Sequence, residues 1–361
     1  VRISDVQAYP LSVPLKSGDL PSPVAVNTAH VITRITTDEG ITGIGEAWGF
    51  NAALLIARTI DTSLRRLLIG KDPLQIEKIW QELYRATYYY GRVGAIPIAI
   101  SGVEMALWDI AGKAYDIPLY QMLGGCSHER LQAYASLLPY TWAQDLADAC
   151  KILKKKGYTA IKLHEKDPLA VGAARNAVGD DTLLLLDVNC AWEAPKAIEM
   201  AARFKPFNLH WYEEPVWPCD NYEALLEMHA MTGIPLATGE NYYTVGGFKE
   251  LIVRRAVDYV QPSVDKVGGI AQTKKVLSLA QAFGIKGAPH CWSWGPARAA
   301  TLHICFSEPG CELMETSVDT PVASILSKPL LPEKGFWKAL EKPGLGIELD
   351  EDVLTKYLVK D

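Results

Sequence analysis

Three acidic residues, Asp187, Glu213 and Glu240, close three successive apolar runs of the sequence, at 183–188, 209–212 and 234–238. Carboxylates that converge in a low-dielectric pocket repel, raise one another's pKa and take up protons unless a cation stands among them. An all-oxygen set of this kind suits a hard divalent cation, and Mg²⁺ is the expected ion. A single acid at a strand end is ordinarily a solvated loop residue. Three in register on adjacent strands call for another explanation. Asn189, two residues past Asp187, should face the same pocket and could orient a ligand. In "YEEP" the neighbours Glu213 and Glu214 face opposite sides, and strand geometry alone does not choose between them.

A second group is cationic. The run "GYTAIKLHEKD" ends an apolar stretch with Lys162 and His164, which share a face by strand alternation. A Lys at a strand end usually snorkels and a His usually satisfies a backbone group. Two of them beside an acidic cluster can instead carry charge and protons.

These side chains belong to a larger periodic pattern. Lys162, Asp187, Glu213, Glu240, Ser263, His290 and Glu315 follow one another at intervals of 25, 26, 27, 23, 27 and 25 residues. Apolar runs at 131–137, 158–163, 183–188, 209–212, 234–238, 258–262, 284–288 and 311–314 alternate with helix-like stretches such as "WAQDLADACKILKKKG". Eight strands alternating with helices make a (β/α) barrel, whose C-terminal strand ends open on one face. The pattern therefore sets the seven polar residues in a ring around one mouth.

The first 125 residues read differently. Alternating segments and the Thr37-Asp38-Glu39-Gly40 turn make residues 1–47 a small antiparallel sheet with a hairpin. Helical patterns follow: "AALLIARTIDTSLRRLLIG" ends at Gly70, "LQIEKIWQELYRATYY" spaces Ile76, Ile79 and Leu83, and a third runs to Pro118. With 49% hydrophobic and 22% charged residues the chain is an ordinary globular protein. A net charge of −6 leaves no footprint for nucleic acid or an anionic membrane, and the apolar runs read as too short to span a bilayer. The opening residues, from Val1 rather than a Met, do not read as a secretory signal. Seven scattered cysteines without CxxC spacing read as reduced thiols, and the expected location is cytoplasmic.

Six of the strand-end motifs, "IKLH", "LLDVN", "WYEEPV", "ATGEN", "QPSVDKVGG" and "APH", together with "ISGVEMALWDIAGKAYDIPLYQMLGG", resemble the mandelate racemase subgroup of the enolase superfamily. The resemblance covers essentially the whole chain. It implies a modified (β/α)7β TIM-type barrel (126–325) under an N-terminal α+β capping domain (1–125), with the tail 326–361 returning to the cap. It implies Asp187, Glu213 and Glu240 as Mg²⁺ ligands, and as shared chemistry the abstraction of the proton α to a carboxylate to give an enediolate.

In that subgroup the second Lys of a Lys-x-Lys motif is the usual base, and here His164 holds its place with Lys162 as electrostatic partner. Lys162 and Mg²⁺ should depress the pKa of His164, leaving a neutral imidazole that can accept a proton at pH 7. His290 matches the acid/base of the opposite face. An Asp usually pairs with it, but Ser263 stands at that position. Ser263 is the expected neighbour, with Asp265 as the alternative. Glu315 matches a residue that donates a hydrogen bond to the enediolate oxygen, so a raised pKa is implied. Its register alternative is Glu312. Specificity is expected from the segments "KSGDLPSPVAV" and "EAWGFN" and from Trp292 and Trp294. Tyr88-Tyr89-Tyr90 could join them, though a tyrosine stripe on a helix more often packs.

Dehydration of a sugar acid to a 2-keto-3-deoxy product is the leading expectation. Racemisation or epimerisation and lactone cycloisomerisation stand behind it. A metal-binding barrel without catalysis is the reading from another class. The expected partner is a small carboxylate, with no nucleic acid and no membrane, and the protein is expected to be a homo-oligomer.

Overall fold

The computed structural model describes residues 1–16, 20–21 and 27–360. Strands β1 (Ile3–Lys16), β2 (Asn27–Thr37) and β3 (Thr42–Trp48) form an antiparallel sheet in sequence order. The β2–β3 hairpin turns at Asp38–Gly40, where the Gly40 N–H donates to the Thr37 carbonyl (3.1 Å). Most of "KSGDLPSPVAV" lies outside the described residues.

Three helical segments cover this sheet: 53–68, interrupted by a π-helical stretch over Thr59–Leu64, then Ile76–Thr87 and Ala95–Tyr115. The last is long and apolar enough to cross a membrane by length and composition, which the apolar runs did not suggest. It is mostly buried instead, as the helix between cap sheet and barrel. Glycines let β3 approach it: a Cβ at Gly45 would stand 2.0 Å from the Gly102 carbonyl oxygen. Tyr88, Tyr89 and Tyr90 are exposed on the cap and reach no cavity of the site described below.

The barrel strands are β4 (Leu131–Ser136), β5 (Ala160–Leu163), β6 (Leu183–Asp187), β7 (Trp211–Glu213), β8 (Leu236–Thr238), β9 (Tyr259–Val260), β10 (Lys286–Gly287) and β11 (Leu313–Ser317). They pair in parallel from β4 through β10, and β11 pairs with β4 on its other side. This is the modified (β/α)7β barrel under an α+β cap that the spacing and the resemblance implied. The two-residue period then sorts the side chains. Tyr134, Ala160, Leu185, Trp211 and Leu313 point inward and pack together in the barrel interior. Their outward neighbours Ile161, Leu184, Leu186 and Tyr212 join the core under the helices. Two residues beyond each inward apolar residue, at Ser136, Lys162, Asp187, Glu213 and Glu315, the strand meets the mouth. The apolar layer is thus the floor of the site, and a fully buried leucine in it, such as Leu185, contributes about 1.5–3 kcal/mol.

The cap is fastened to that mouth by polar contacts. Glu104 accepts from the N–H groups of Ile270 (2.7 Å) and Ala271 (2.9 Å), at the start of helix Ile270–Ala282. Glu46, on β3, accepts from Ser293 Oγ (2.7 Å) and the Ala297 N–H (2.9 Å) and pairs with His30. Strand β12 (Thr320–Pro321) adds to β1 of the cap sheet. All seven cysteines are free thiols.

Candidate active site

A cavity of about 400 Å³ opens at the barrel mouth under the cap, lined among others by Lys162, His164, Glu240, Lys266, His290 and Trp292. Asp187 and Glu213 end adjacent strands as direct register partners, and Glu240 comes two residues after β8. Each offers a carboxylate oxygen, and the three lie within 4.8 Å of one another. Three buried or half-buried carboxylates at that spacing form a cluster able to hold a metal ion. Glu214, the other acid of "YEEP", turns away: its φ is +43° and its carboxylate accepts from Asn241 Nδ2 (2.8 Å).

The chain supplies its own cations to this cluster. Lys162 Nζ, buried, stands 3.3 Å from Asp187, 2.8 Å from Glu213 and 2.9 Å from Glu315. His164 Nε2 is 3.2 Å from Asp187 Oδ2, and its Nδ1–H donates to the Leu137 carbonyl (2.6 Å). On the other side His290 Nε2 is 3.3 Å from Glu240 Oε2, and Lys266 Nζ donates to Glu240 Oε1 (3.0 Å).

The pKa directions follow from that partition. Burial works against every charge here, so the neighbours decide. Lys162 and His164 hold Asp187 well below the carboxylate range, and His290 and Lys266 lower Glu240. Glu213 is pushed up to about 8 by burial and by the Asp187 and Glu315 charges, against the pull of Lys162. The mutual elevation expected of the cluster thus falls on Glu213.

Two expected protonation states differ from what the protein's own side chains favour. His164 was expected to have a lowered pKa. Burial and Lys162 do act in that direction, but the Asp187 carboxylate outweighs them and raises it. Glu315 was expected to be a protonated donor. Burial favours that form, yet Lys162 and His290 hold its carboxyl down to about 2, and it accepts the Cys291 N–H at 3.0 Å. Glu312 is exposed and paired with Lys286, so the register alternative falls.

The neighbour of His290 is resolved as a relay. Its Nδ1 lies 2.9 Å from Ser263 Oγ, and Ser263 Oγ donates to Asp265 Oδ1 at 2.5 Å. All three residues are buried. Ser263 is the direct partner, and Asp265 stands behind it. Burial and then Glu46 push the Asp265 carboxyl up.

Asn189 lines the cavity, although φ +46° places it there rather than strand alternation; its N–H donates to Asp187 (2.8 Å). Trp292 lines the cavity and packs at 5.7 Å on Trp48 of "EAWGFN", whose Phe50 lines it too. Trp294 does not. It is buried behind Trp292 and donates to the Asp319 carbonyl (3.0 Å). Sequence reasoning missed Lys266, whose ammonium lies 4.6 Å from the Trp48 ring centroid. It follows Ser263 by three in a turn, where two-residue periodicity carries no information. The signal available was its position in "SVDKVGG", within one turn of a ring member.

Known proteins share this chain's sequence pattern and fold. Residues 12–124 match the family model for the mandelate racemase/muconate lactonizing enzyme N-terminal domain, and residues 145–353 match that for the enolase C-terminal domain-like family. A D-galactarolactone cycloisomerase of Agrobacterium fabrum is 33% identical over 359 residues, covering 92% of each chain. The 3,6-anhydro-D-galactonate cycloisomerase of Zobellia galactanivorans superposes with a TM-score of 0.90 at 32% identity, covering 100% of both chains. A protein of Salmonella enterica assigned as a dehydratase superposes with a TM-score of 0.89 at 28% identity, covering 99% of both. The chain belongs to the mandelate racemase/muconate lactonizing enzyme family, and it is an enzyme of the enolase superfamily.

Proposed function

We propose that the enzyme removes the proton α to the carboxylate of a sugar acid and expels the oxygen on the β-carbon, giving a 2-keto-3-deoxy product. The observation that carries this is the placement of two imidazoles. His164 Nε2 lies beside Asp187 and His290 Nε2 beside Glu240, so they flank one carboxylate cluster in one cavity.

Asp187, Glu213 and Glu240 would hold Mg²⁺, since a close-set all-oxygen cluster fits a hard cation. When bound, the ion supplies Lewis acidity to the substrate carboxylate. The remaining work falls to side chains. His164 gives its Nδ1–H to Leu137, which leaves Nε2, beside Asp187, as the atom that would take the α-proton once the cation engages the Asp187 carboxylate. Lys162 places a fixed positive charge where the second negative charge of the carboxylate develops. The α C–H pair becomes a C–C double bond as the β C–O bond breaks, and His290 gives its Nε2 proton to the departing oxygen. The enol product then tautomerises to the ketone. The cap (residues 1–125, with the tail 326–361) covers the mouth and, through Trp48 and Phe50, contributes to the specificity wall.

Loss of a free β-hydroxyl makes this a dehydration. Where the β-oxygen belongs to a lactone or cyclic ether, the same elimination opens the ring without losing water and is a cycloisomerisation. The identities of 33% and 32% to two cycloisomerases favour that second reading. Racemisation would use the same imidazoles on a substrate without a β-oxygen.

The test is a panel of sugar acids and their lactones with Mg²⁺, scored for 2-keto product by mass spectrometry. A product lighter by one water indicates dehydration, and an isomer of the substrate indicates cycloisomerisation. His164→Ala should abolish α-proton exchange in deuterated water and keep Mg²⁺ binding. Unchanged exchange would remove His164 from the role. A wild-type protein that binds Mg²⁺ but exchanges no α-proton across the panel would leave a non-catalytic barrel.

A further inference from the structure

The guanidinium of Arg298 is buried at 1% exposure in the first turn of helix Pro296–Ser307, yet it makes no ion pair among the described residues. Its Nη1 donates to the Leu330 carbonyl (3.1 Å), while Nε and Nη2 have no hydrogen-bond partner among the described residues. A guanidinium does not shed its proton at any ordinary pH, so burial cannot be relieved by neutralisation. An unpaired buried charge is among the costliest groups in a fold. The anionic candidates nearby do not serve it. The Cys291 thiol is pushed up to about 12 by burial and stays neutral, and Glu46 is committed to His30, Ser293 and Ala297.

Arg298 lines a cavity of about 230 Å³ that shares no lining residue with the candidate active site. The wall includes Leu330 and Trp294, both in contact with the guanidinium, whose Cζ lies 5.5 Å from the Trp294 ring centroid and 5.9 Å from that of Trp337. It also includes Lys16 and Thr320, register partners where β12 joins β1, and no carboxylate among the described residues. Lys16 likewise makes no ion pair among the described residues. Among the described residues, two cations without an ion-pair partner therefore face one cavity. Water could satisfy the free N–H groups but not the charge, and the volume exceeds the roughly 30 Å³ that one water occupies in the liquid.

We infer that this cavity is a binding site for a small oxyanion, a carboxylate or a phosphate, held by Arg298 with Lys16 at its edge. A planar guanidinium with two adjacent free donors is suited to bidentate contact with either oxyanion. The site lies on the loop of the acid/base His290: Trp294 is four residues from it, and Cys291 adjoins it. An anion there fixes that loop and the β1–β12 junction together.

The experiment is thermal unfolding of the Mg²⁺-loaded full chain, titrated at constant ionic strength with inorganic phosphate in one arm and succinate in the other. A saturable rise in Tm is expected in at least one arm, and the arm that responds identifies the source of the oxyanion. Arg298→Met should lose that rise, and Lys16→Gln should saturate at a concentration about tenfold higher, the effect of one charge-assisted contact. No saturable rise in either arm, or a rise unchanged in Arg298→Met, overturns the site. Should Arg298→Met not fold, exposed Lys16 decides: an unchanged midpoint in Lys16→Gln overturns the inference.

Discussion

Ser263 Oγ lies 2.9 Å from Nδ1 of His290, at the position where the mandelate racemase subgroup usually sets a carboxylate against the imidazole. The hydroxyl has one proton and donates it to Asp265, so its lone pair receives the His290 Nδ1–H. That hydrogen bond fixes the ring and leaves Nε2 to the cavity. The partner itself carries no charge, with the acid moved back by one hydroxyl.

Ser263→Ala should therefore impair the step that needs His290 more than the step that needs His164. Product formation is expected to fall about 10–100-fold in kcat, a part of the 10²–10⁴ carried by a general acid or base. KM and α-proton exchange should stay near the wild type, and Ser263→Thr should restore turnover. A parallel loss of exchange and turnover would place Ser263 in general packing instead.

Lys162 is the internal counter-ion of Asp187, Glu213 and Glu315. Lys162→Met should destabilise the metal-free protein by about 3–5 kcal/mol, the effect of leaving buried partners unpaired. Urea unfolding in chelator and in saturating Mg²⁺ measures this. The ion should recover much of the loss, because it neutralises the same carboxylates.

Glu104 is raised to about 7 because burial outweighs the Ile270, Ala271 and Trp108 N–H donors it accepts from. Between about pH 4.5 and 7 the folded protein then binds a proton that the unfolded chain has lost. Stability from this group is complete below pH 4.5 and declines as pH rises through 7, by on the order of 3 kcal/mol. Glu104→Gln should flatten that slope. It should also lower stability by about 1–3 kcal/mol, since an amide NH₂ cannot accept a backbone N–H. Denaturant midpoints at several pH values report both effects.

Gly269→Ala tests the same latch sterically. Its φ is +98°, and a Cβ would stand 2.1 Å from Glu104 Oε2. A cost of about 1–3 kcal/mol or more is expected from the backbone conformation alone, read as a fall in Tm.

The fold was legible because a barrel repeats its unit. The 25-residue rhythm and the two-residue alternation place Lys162, Asp187, Glu213 and Glu315 above Ala160, Leu185, Trp211 and Leu313 without knowledge of any contact. Legibility ended where strands became turns. Lys266 and Asp265 sit past β9 in a run of turn residues, where side-chain direction depends on backbone angles that a sequence does not display. Charge states were hidden for another reason. Whether Glu315 is a donor or a carboxylate depends on Lys162, which lies on a strand far away in the chain. The Ser263–Asp265 relay needed both kinds of information.

Glu46 belongs to the cap sheet, yet it holds Ser293 and the Ala297 N–H in the segment that follows His290. The wall proposed to select a substrate and the loop of the proposed proton donor are therefore fastened by one side chain. Exchange of caps between relatives will not alter selectivity alone. A transplanted cap lacking an acid at position 46 will arrive with a misplaced acid/base group, and a chimera built at the 125/126 boundary should carry Glu46, Ser293 and Ala297 as a set.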